Sequence, residues 1–513
     1  KVLRARRASR NPNSTSVFTM VQLGSAPALR VAPGLGGVIR MLPQASSLLV
    51  PVLGRDNNKA QLVMVDTRVN SPSSTASHPG YYYNQALQQA GDASAVGGIV
   101  TDMRNAMVAY QTQTIPELLR SVAIFTTCKQ KWLGTNAEQI LRTSAMALSQ
   151  RLTDMVVKQT FFKQFCAGEN ASEVLPLMNK LHSRGVGSIL DYAAEADLGT
   201  ETTAAAFETG GATSLYTGKI EAHCDDNLSK YLDAVALASQ APAGEGVVAV
   251  KVTSLGNPLL LQRMAVAKED IPAELSEEEE GLAARVHERV SAIAAAAKEG
   301  GVELLVDAEH SYFQGAIDAV AMRAMRLYNK DDAVVYNTYQ CYLKDSGPKL
   351  EEHLAQAEAA GFQLGAKLVR GAYMNLERRR AEELCYPSPI HDSLQDTHAN
   401  FNHCMAMMLD AVKAERGHVV IATHNEDSCQ RAMRKMAALG LEPSNGRVKF
   451  GQLQGMCDFL TYSLSAYGYK AYKYLPYGPL HEVLPYLIRR AQENSDVLGA
   501  TDIERRLMLS EVK

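Results

Sequence analysis

"VVAVKVT", residues 247–253, is the stretch on which the fold turns. It is short, rich in β-branched residues and apolar almost throughout, which suits a strand covered on both sides. In an extended chain Val248, Val250 and Val252 share one face, while Val247, Ala249, Lys251 and Thr253 share the other. The valine face suits packing against surrounding helices, so Lys251 points to an interior. A lone buried ammonium is prohibitively costly, and a carboxylate is expected beside it. Asp307, at the next strand end in the order, is the natural counter-charge.

Segments of the same kind recur on either side. They are "GSILDY", "VELLVD", "AVVYNTYQ", "AKLVRGAY", "HVVIATHN", "RVKFGQL" and "YKAYKYL", separated by helical patterns from Val186 onward. Strands alternating with helices imply parallel strands and right-handed crossovers, and eight of them predict a closed (βα)8 barrel of the α/β class. Polar residues stand at the strand ends: Asp191, Lys251, Asp307, Gln340, Arg370, His424 and Gln452. In such a barrel the carboxyl ends of the strands converge on one site, so these residues are expected to share it.

Upstream, "TIPELLRSVAIFTTCKQKWL" and "AEQILRTSAMALSQRLTDMVVKQTFFKQF" repeat apolar residues at three and four, which predicts a helical domain over 114–184. The barrel is expected over 185–513, with an exposed acidic insertion near 265–285 that opens a helix at Ser276. Residues 1–55 contain no Asp or Glu but several arginines among Ser, Ala and Pro, which reads as an organelle transit leader. Residues 56–113 read as a linker of low order.

Composition bounds the function. With 513 residues, 46% hydrophobic, the chain can bury a large core. A net charge of -3 argues against a protein that coats nucleic acid, and no apolar run is long enough to span a bilayer. The eight cysteines are scattered, which suits a reducing compartment. No Cys or His cluster has metal-ligand spacing, so no metal is expected. "GLGGVIR" matches a dinucleotide fingerprint only loosely and lacks its strand and acidic residue.

Near the carboxyl end "LHEVLPYLIRRAQENSD" reads as an amphipathic helix. Leu484, Leu487, Ile488 and Ala491 form one stripe, and Tyr486, Arg489, Arg490 and Glu493 form another. The second stripe is either a solvated face or a two-armed cationic clamp. A strand lysine equally suits a Schiff-base aldolase.

"VVAVKVTSL", "LLVDAE", "YNTYQCYLKD", "KLVRGAYM", "IATHNEDS", "FGQLQGMCD", "YKYLPYGPL" and "PYLIRRAQEN" resemble, in order and spacing, the blocks of proline dehydrogenase. The resemblance runs from about Thr114 to Glu504 and is nearest to the monofunctional mitochondrial enzymes of eukaryotes. It implies a distorted barrel that binds FAD without a Rossmann fold, with a last helix closing the mouth. It implies oxidation of L-proline by hydride transfer to FAD and electron transfer to membrane quinone, at the matrix side of the inner mitochondrial membrane. By the same resemblance Lys251, Asp307, Ala372, Leu453, Tyr474, Tyr486, Arg489 and Arg490 would enclose the substrate. Gln340, Lys367, Val369, Arg370, Gly371, Ala372, Thr397, His398, Thr423 and His424 would contact the flavin. Lys367 departs from bacterial relatives, which carry arginine there. The alternatives are a hydroxyproline dehydrogenase, the aldolase, or a non-catalytic flavin-binding proline sensor.

Overall fold

The computed structural model describes residues 47–53, 60–66, 103–104, 109–110, 113–130, 132, 136–193, 218–241, 245–266, 275–496 and 498–512. Most of the expected leader and linker therefore lies outside the described residues. Within them Ser47–Leu53, in the expected leader, pairs antiparallel with Ala60–Asp66, in the expected linker.

Eight parallel strands close into a barrel. They are β1 (Val186–Tyr192), β2 (Gly246–Val250), β3 (Glu303–Val306), β4 (Val335–Gln340), β5 (Leu364–Val369), β6 (Gly417–Ala422), β7 (Val448–Leu453) and β8 (Ala471–Tyr477). Each strand pairs with its neighbours in sequence, and β8 closes on β1. The two faces of the opening stretch separate as expected. Val248, Val250 and Val252 join the core shared with the helices, while Val247 and Ala249 join Ile189, Leu305, Tyr336, Val420 and Tyr472 inside the barrel. Gly187 is required by that interior, because a Cβ there would lie 2.3 Å from the Tyr472 ring.

The helical region before β1 holds α1 (Ile115–Cys128), α2 (Ala137–Leu148), α3 (Gln150–Val157) and α4 (Ala171–His182). The start of α1 is set by a capping box, with the Thr114 N–H donating to Glu117 at 2.7 Å. The long second pattern is not one helix. It breaks at Ser149, whose φ is 104°, and again at a π-helical turn over Lys158–Phe162.

Around the barrel lie α5 (Gly218–Ala238), α6 (Pro258–Val266), α7 (Glu277–Glu299), α8 (Ser311–Tyr328), α9 (Ser346–Ala360), α10 (Met374–Glu383), α11 (Leu394–Lys413), α12 (Glu426–Leu439) and α13 (Asp458–Ala466). Ser276 caps α7 as expected, accepting from the Glu279 N–H at 3.3 Å. The acidic stretch is not wholly exposed, since Glu279 is buried and accepts from Arg263 at 2.9 Å. The arginine helix is α14 (Leu480–Asp496). A further helix, α15 (Leu498–Val512), follows it and packs on α1, so the mouth is crossed by the next-to-last helix. Among the described residues no helix is long and apolar enough to cross a membrane.

Candidate active site

The polar strand ends meet at the carboxyl end of the barrel, where two buried ion pairs form. The Lys251 ammonium, held inside just beyond β2, contacts Asp191 of β1 at 2.8 Å. Asp307, just beyond β3, takes the Lys367 ammonium of β5 and accepts from the Tyr474 hydroxyl of β8 at 2.6 Å. The expected Lys251–Asp307 pair is therefore replaced by two pairs. Lys251 has a neighbouring strand on each side and turns to Asp191 of β1 rather than Asp307 of β3, while Asp307 meets Lys367 of β5, which does not neighbour β3 in the sheet. Lys367, expected at a flavin, is engaged by Asp307. Burial and the two carboxylates, Asp191 before Asp307, push the Tyr474 phenol well above its ordinary range, so it remains a donor.

Polar contacts fix the neighbouring strand ends. Gln340 closes β4 and donates to the Glu309 carbonyl at 2.7 Å, while Glu309 accepts from the Thr253 N–H at 3.1 Å. Val369 ends β5, and Arg370, Gly371 and Ala372 begin the loop after it. Gly371 has φ 139°, and a Cβ there would strike the Tyr342 ring at 2.5 Å.

Arg370 reaches across to α11 and beyond. It donates to His398 Nδ1 at 2.9 Å, to the Thr423 hydroxyl at 2.6 Å and to the Ser428 hydroxyl at 2.9 Å, and its guanidinium lies 4.3 Å from the Phe401 ring centre. These partners are neutral. Burial lowers the Arg370 pKa, which marks the cost of holding its charge there. Thr397 is buried beside His398 on α11. His398 accepts at Nδ1, so its proton sits on Nε2.

His424, beyond β6, accepts from the Leu453 N–H at 3.0 Å, which places its proton on Nδ1. Burial pushes its pKa down to about 3, with Lys473, Arg490 and Arg370 adding to the shift. His424 is thus neutral at working pH, fixed against the strand that carries Leu453.

Helix α14 lays its arginines on this end of the barrel. Its most buried stripe is Val483, Tyr486, Leu487 and Arg490, while Leu484, Ile488 and Ala491 are half-buried. The face with Tyr486 and Arg490 therefore turns inward, against the solvated reading. The Arg490 guanidinium lies 4.9 Å from the Tyr486 ring centre, and that of Arg489 lies 5.9 Å from the ring of Tyr373, beyond β5. At its other end the Tyr192 hydroxyl of β1 donates to Glu482 at 2.8 Å. Sequence reading missed Asp191 as the Lys251 partner, though it stood among the polar strand ends. It also missed Glu309 and Glu482, which carry no local pattern.

The residues fit FAD. A half-buried guanidinium held by neutral acceptors and a ring face, as Arg370 is, suits an anionic group, and the cofactor's pyrophosphate is one. Neutral His398 and His424 each keep one N–H for a ligand acceptor.

Comparison with known proteins bears on the same residues. The sequence model of the proline dehydrogenase family matches residues 174–502. Human "Proline dehydrogenase 1, mitochondrial" is 32% identical over 552 residues, covering 83% of this chain and 92% of the human one. "Hydroxyproline dehydrogenase" of Xenopus laevis is 35% identical over 420 residues, covering 77% of this chain and 86% of its own. Among solved structures, proline utilization A (PutA) from Bdellovibrio bacteriovorus aligns with TM-score 0.61 at 18% identity, over 79% of this chain and 42% of that one. This last likeness is one of fold, and this chain spans well under half of that larger protein.

Proposed function

The chain belongs to the proline dehydrogenase family, and on that premise we propose that it oxidises L-proline to Δ1-pyrroline-5-carboxylate with FAD and passes the electrons to membrane quinone. The observation that carries the reading is the inward arginine face of α14 above two buried lysine–carboxylate pairs. Arg489 and Arg490 bind the substrate carboxylate, a use suited to the rigid donor fork of a guanidinium. Leu453 and Ala372 line the ring with apolar contacts, and Tyr474 and Tyr486 enclose it. The carboxylates of Asp191 and Asp307 favour the positive charge that develops on the ring nitrogen. Lys251, Lys367 and Tyr474 hold those carboxylates in place.

Gln340, Lys367, Val369, Arg370, Gly371, Ala372, Thr397, His398, Thr423 and His424 would hold the cofactor. When bound, FAD supplies the hydride acceptor, and the chain's part is to place the ring of proline against it and exclude water. The names of its relatives support a mitochondrial location, and we place the enzyme on the matrix side of the inner membrane as a peripheral protein.

The test is an absorption spectrum of the purified protein before and after anaerobic addition of proline. Bleaching of a flavin band is expected. A protein without flavin, or a flavin that proline leaves oxidised, would overturn the reading. A borohydride-trapped adduct at Lys251 would favour the aldolase instead, and flavin that binds proline without reduction would favour the sensor.

The 35% identity to a hydroxyproline dehydrogenase supports a second reading. Against it stands Tyr474, an aromatic wall beside the ring that leaves little space for a 4-hydroxyl. A higher kcat/KM for trans-4-hydroxyproline than for proline would favour the second reading. Tyr474→Ser should narrow the gap by weakening proline binding.

A further inference from the structure

Helix α15 holds a buried acid that neither the proposed chemistry nor the family resemblance uses. Glu504 is 2% exposed. Its two carboxylate oxygens accept from the Cys457 N–H at 2.8 Å and the Asp458 N–H at 2.9 Å, and the Tyr110 hydroxyl reaches it at 3.3 Å. Cys457 and Asp458 are the cap and first residue of α13, so a side chain 46 positions away closes that helix N-terminus. Cys457 has a φ of 52°, a left-handed conformation costly for a residue with a Cβ, and it stands where the Glu504 contact is made.

The loop it seizes is part of the mouth. Leu453 and Met456 carbonyls accept from Lys473 at 3.2 and 2.6 Å, and Lys473 pairs with Asp458 at 2.7 Å. Leu453 in turn fixes His424. On the other side, one residue separates the end of α14 at Asp496 from the start of α15 at Leu498. At its beginning α14 is tied to β1 through Glu482 and Tyr192. The arginine helix is thus tied down at both ends, by Glu482 directly and by Glu504 through α15.

We propose that Glu504 is a positioning residue that sets the arginine helix against the Leu453–Asp458 loop and so tunes capture of the substrate carboxylate. This rests on the reading of Arg489 and Arg490 as the carboxylate clamp. Glu504 touches neither substrate nor cofactor. Its effect belongs in substrate affinity, since freeing α15 lets the clamp fluctuate away from its binding position, which lowers the competent population.

The test compares Glu504→Gln with wild type in three measurements. KM for proline, and the dissociation constant of tetrahydrofuran-2-carboxylate from the flavin spectrum, should each rise about fivefold or more, with kcat changed less than about twofold. Amide hydrogen exchange should quicken in α14 and α15 and stay unchanged in the barrel strands. Glu504→Asp, which keeps the carboxyl group with a shorter reach, should recover part of the affinity. Asp502→Asn on the same helix weakens its pairs with Lys129 and Arg505, away from the Leu453–Asp458 loop, and should leave KM alone. A Glu504→Gln protein with lower thermal stability but wild-type KM and wild-type exchange in α14 would overturn the proposal and leave a purely structural capping role. If Glu504→Gln does not fold, Glu504→Asp with wild-type KM and exchange overturns it equally. Should wild type fail to oxidise proline, the clamp reading falls, while quickened exchange confined to α14 and α15 still upholds the mechanical coupling.

Discussion

The two ends of the barrel bury charge in different ways. At the amino-terminal end Lys449 of β7 meets Glu303 of β3 at 2.7 Å, beside Tyr336 and His418. There Lys449 answers Glu303, and Asp332 lies 2.6 Å from His418. At the carboxyl end Lys251 and Lys367 are answered by Asp191 and Asp307, and Arg370, Arg489 and Arg490 come to the same mouth in addition. A mouth that gathers three guanidinium groups suits anions, and the proposed imino-acid carboxylate and pyrophosphate are two.

The sharpest way to break this comparison is to remove one lysine from each end. Lys449→Met and Lys251→Met each take the ammonium away from a buried carboxylate, and each should cost about 3–5 kcal/mol of stability. Denaturant unfolding should show similar losses for both. Activity per folded molecule should survive at the floor and fall at the mouth. Full proline turnover in folded Lys251→Met would mean that the mouth pair is only structural.

The arginines come next. Arg489→Ala and Arg490→Ala each remove a charge-assisted contact worth roughly 1.5 to 3 kcal/mol, so kcat/KM for proline should fall about tenfold to a hundredfold or more. Flavin content should stay near normal, because Arg370 is untouched. Replacement by Lys should also fail substantially, since an ammonium cannot present two parallel donors. Wild-type kcat/KM in both alanine variants would mean that this helix does not clamp the substrate.

How much of this was legible follows from which interactions are local. Strand alternation in "VVAVKVT" and its seven companions carried the barrel, because the period of two is a property of each segment alone. The capping serine at Ser276 was legible for the same reason. The partner of Lys251 was not, because its strand has a neighbour with an acidic end on each side and strand order alone does not say which carboxylate, Asp191 or Asp307, it meets. Whether Arg489 and Arg490 face water needed tertiary contact as well, since both stripes of α14 are partly covered. Glu504 left no trace in pattern, because its partners are backbone N–H groups of a distant turn. The break at Ser149 was hidden by apolar spacing that continues through it.

The smallest effect sharpens the comparison through two histidines. Burial pushes His424 at the mouth down to about 3 and His418 at the floor down to about 4, although Asp332 works against the latter shift. Unfolded, each takes up a proton near its ordinary value of about 6.5. Between the folded and unfolded values the native state binds fewer protons, so this stability is present above about pH 6.5 and is lost as pH falls towards those folded values. From about pH 7 to about pH 6 each histidine should cost on the order of 0.7 kcal/mol. The two ends should part when an anion binds. Tetrahydrofuran-2-carboxylate in the mouth offsets the fields of Arg490 and Arg370 on His424 and raises its pKa, while His418 keeps its own. Histidine proton resonances followed through an acid titration, with and without the ligand, would show this difference. A His424 that titrates near 6.5 without ligand, or a ligand that moves both histidines alike, would remove the distinction between the floor and a mouth that receives anions.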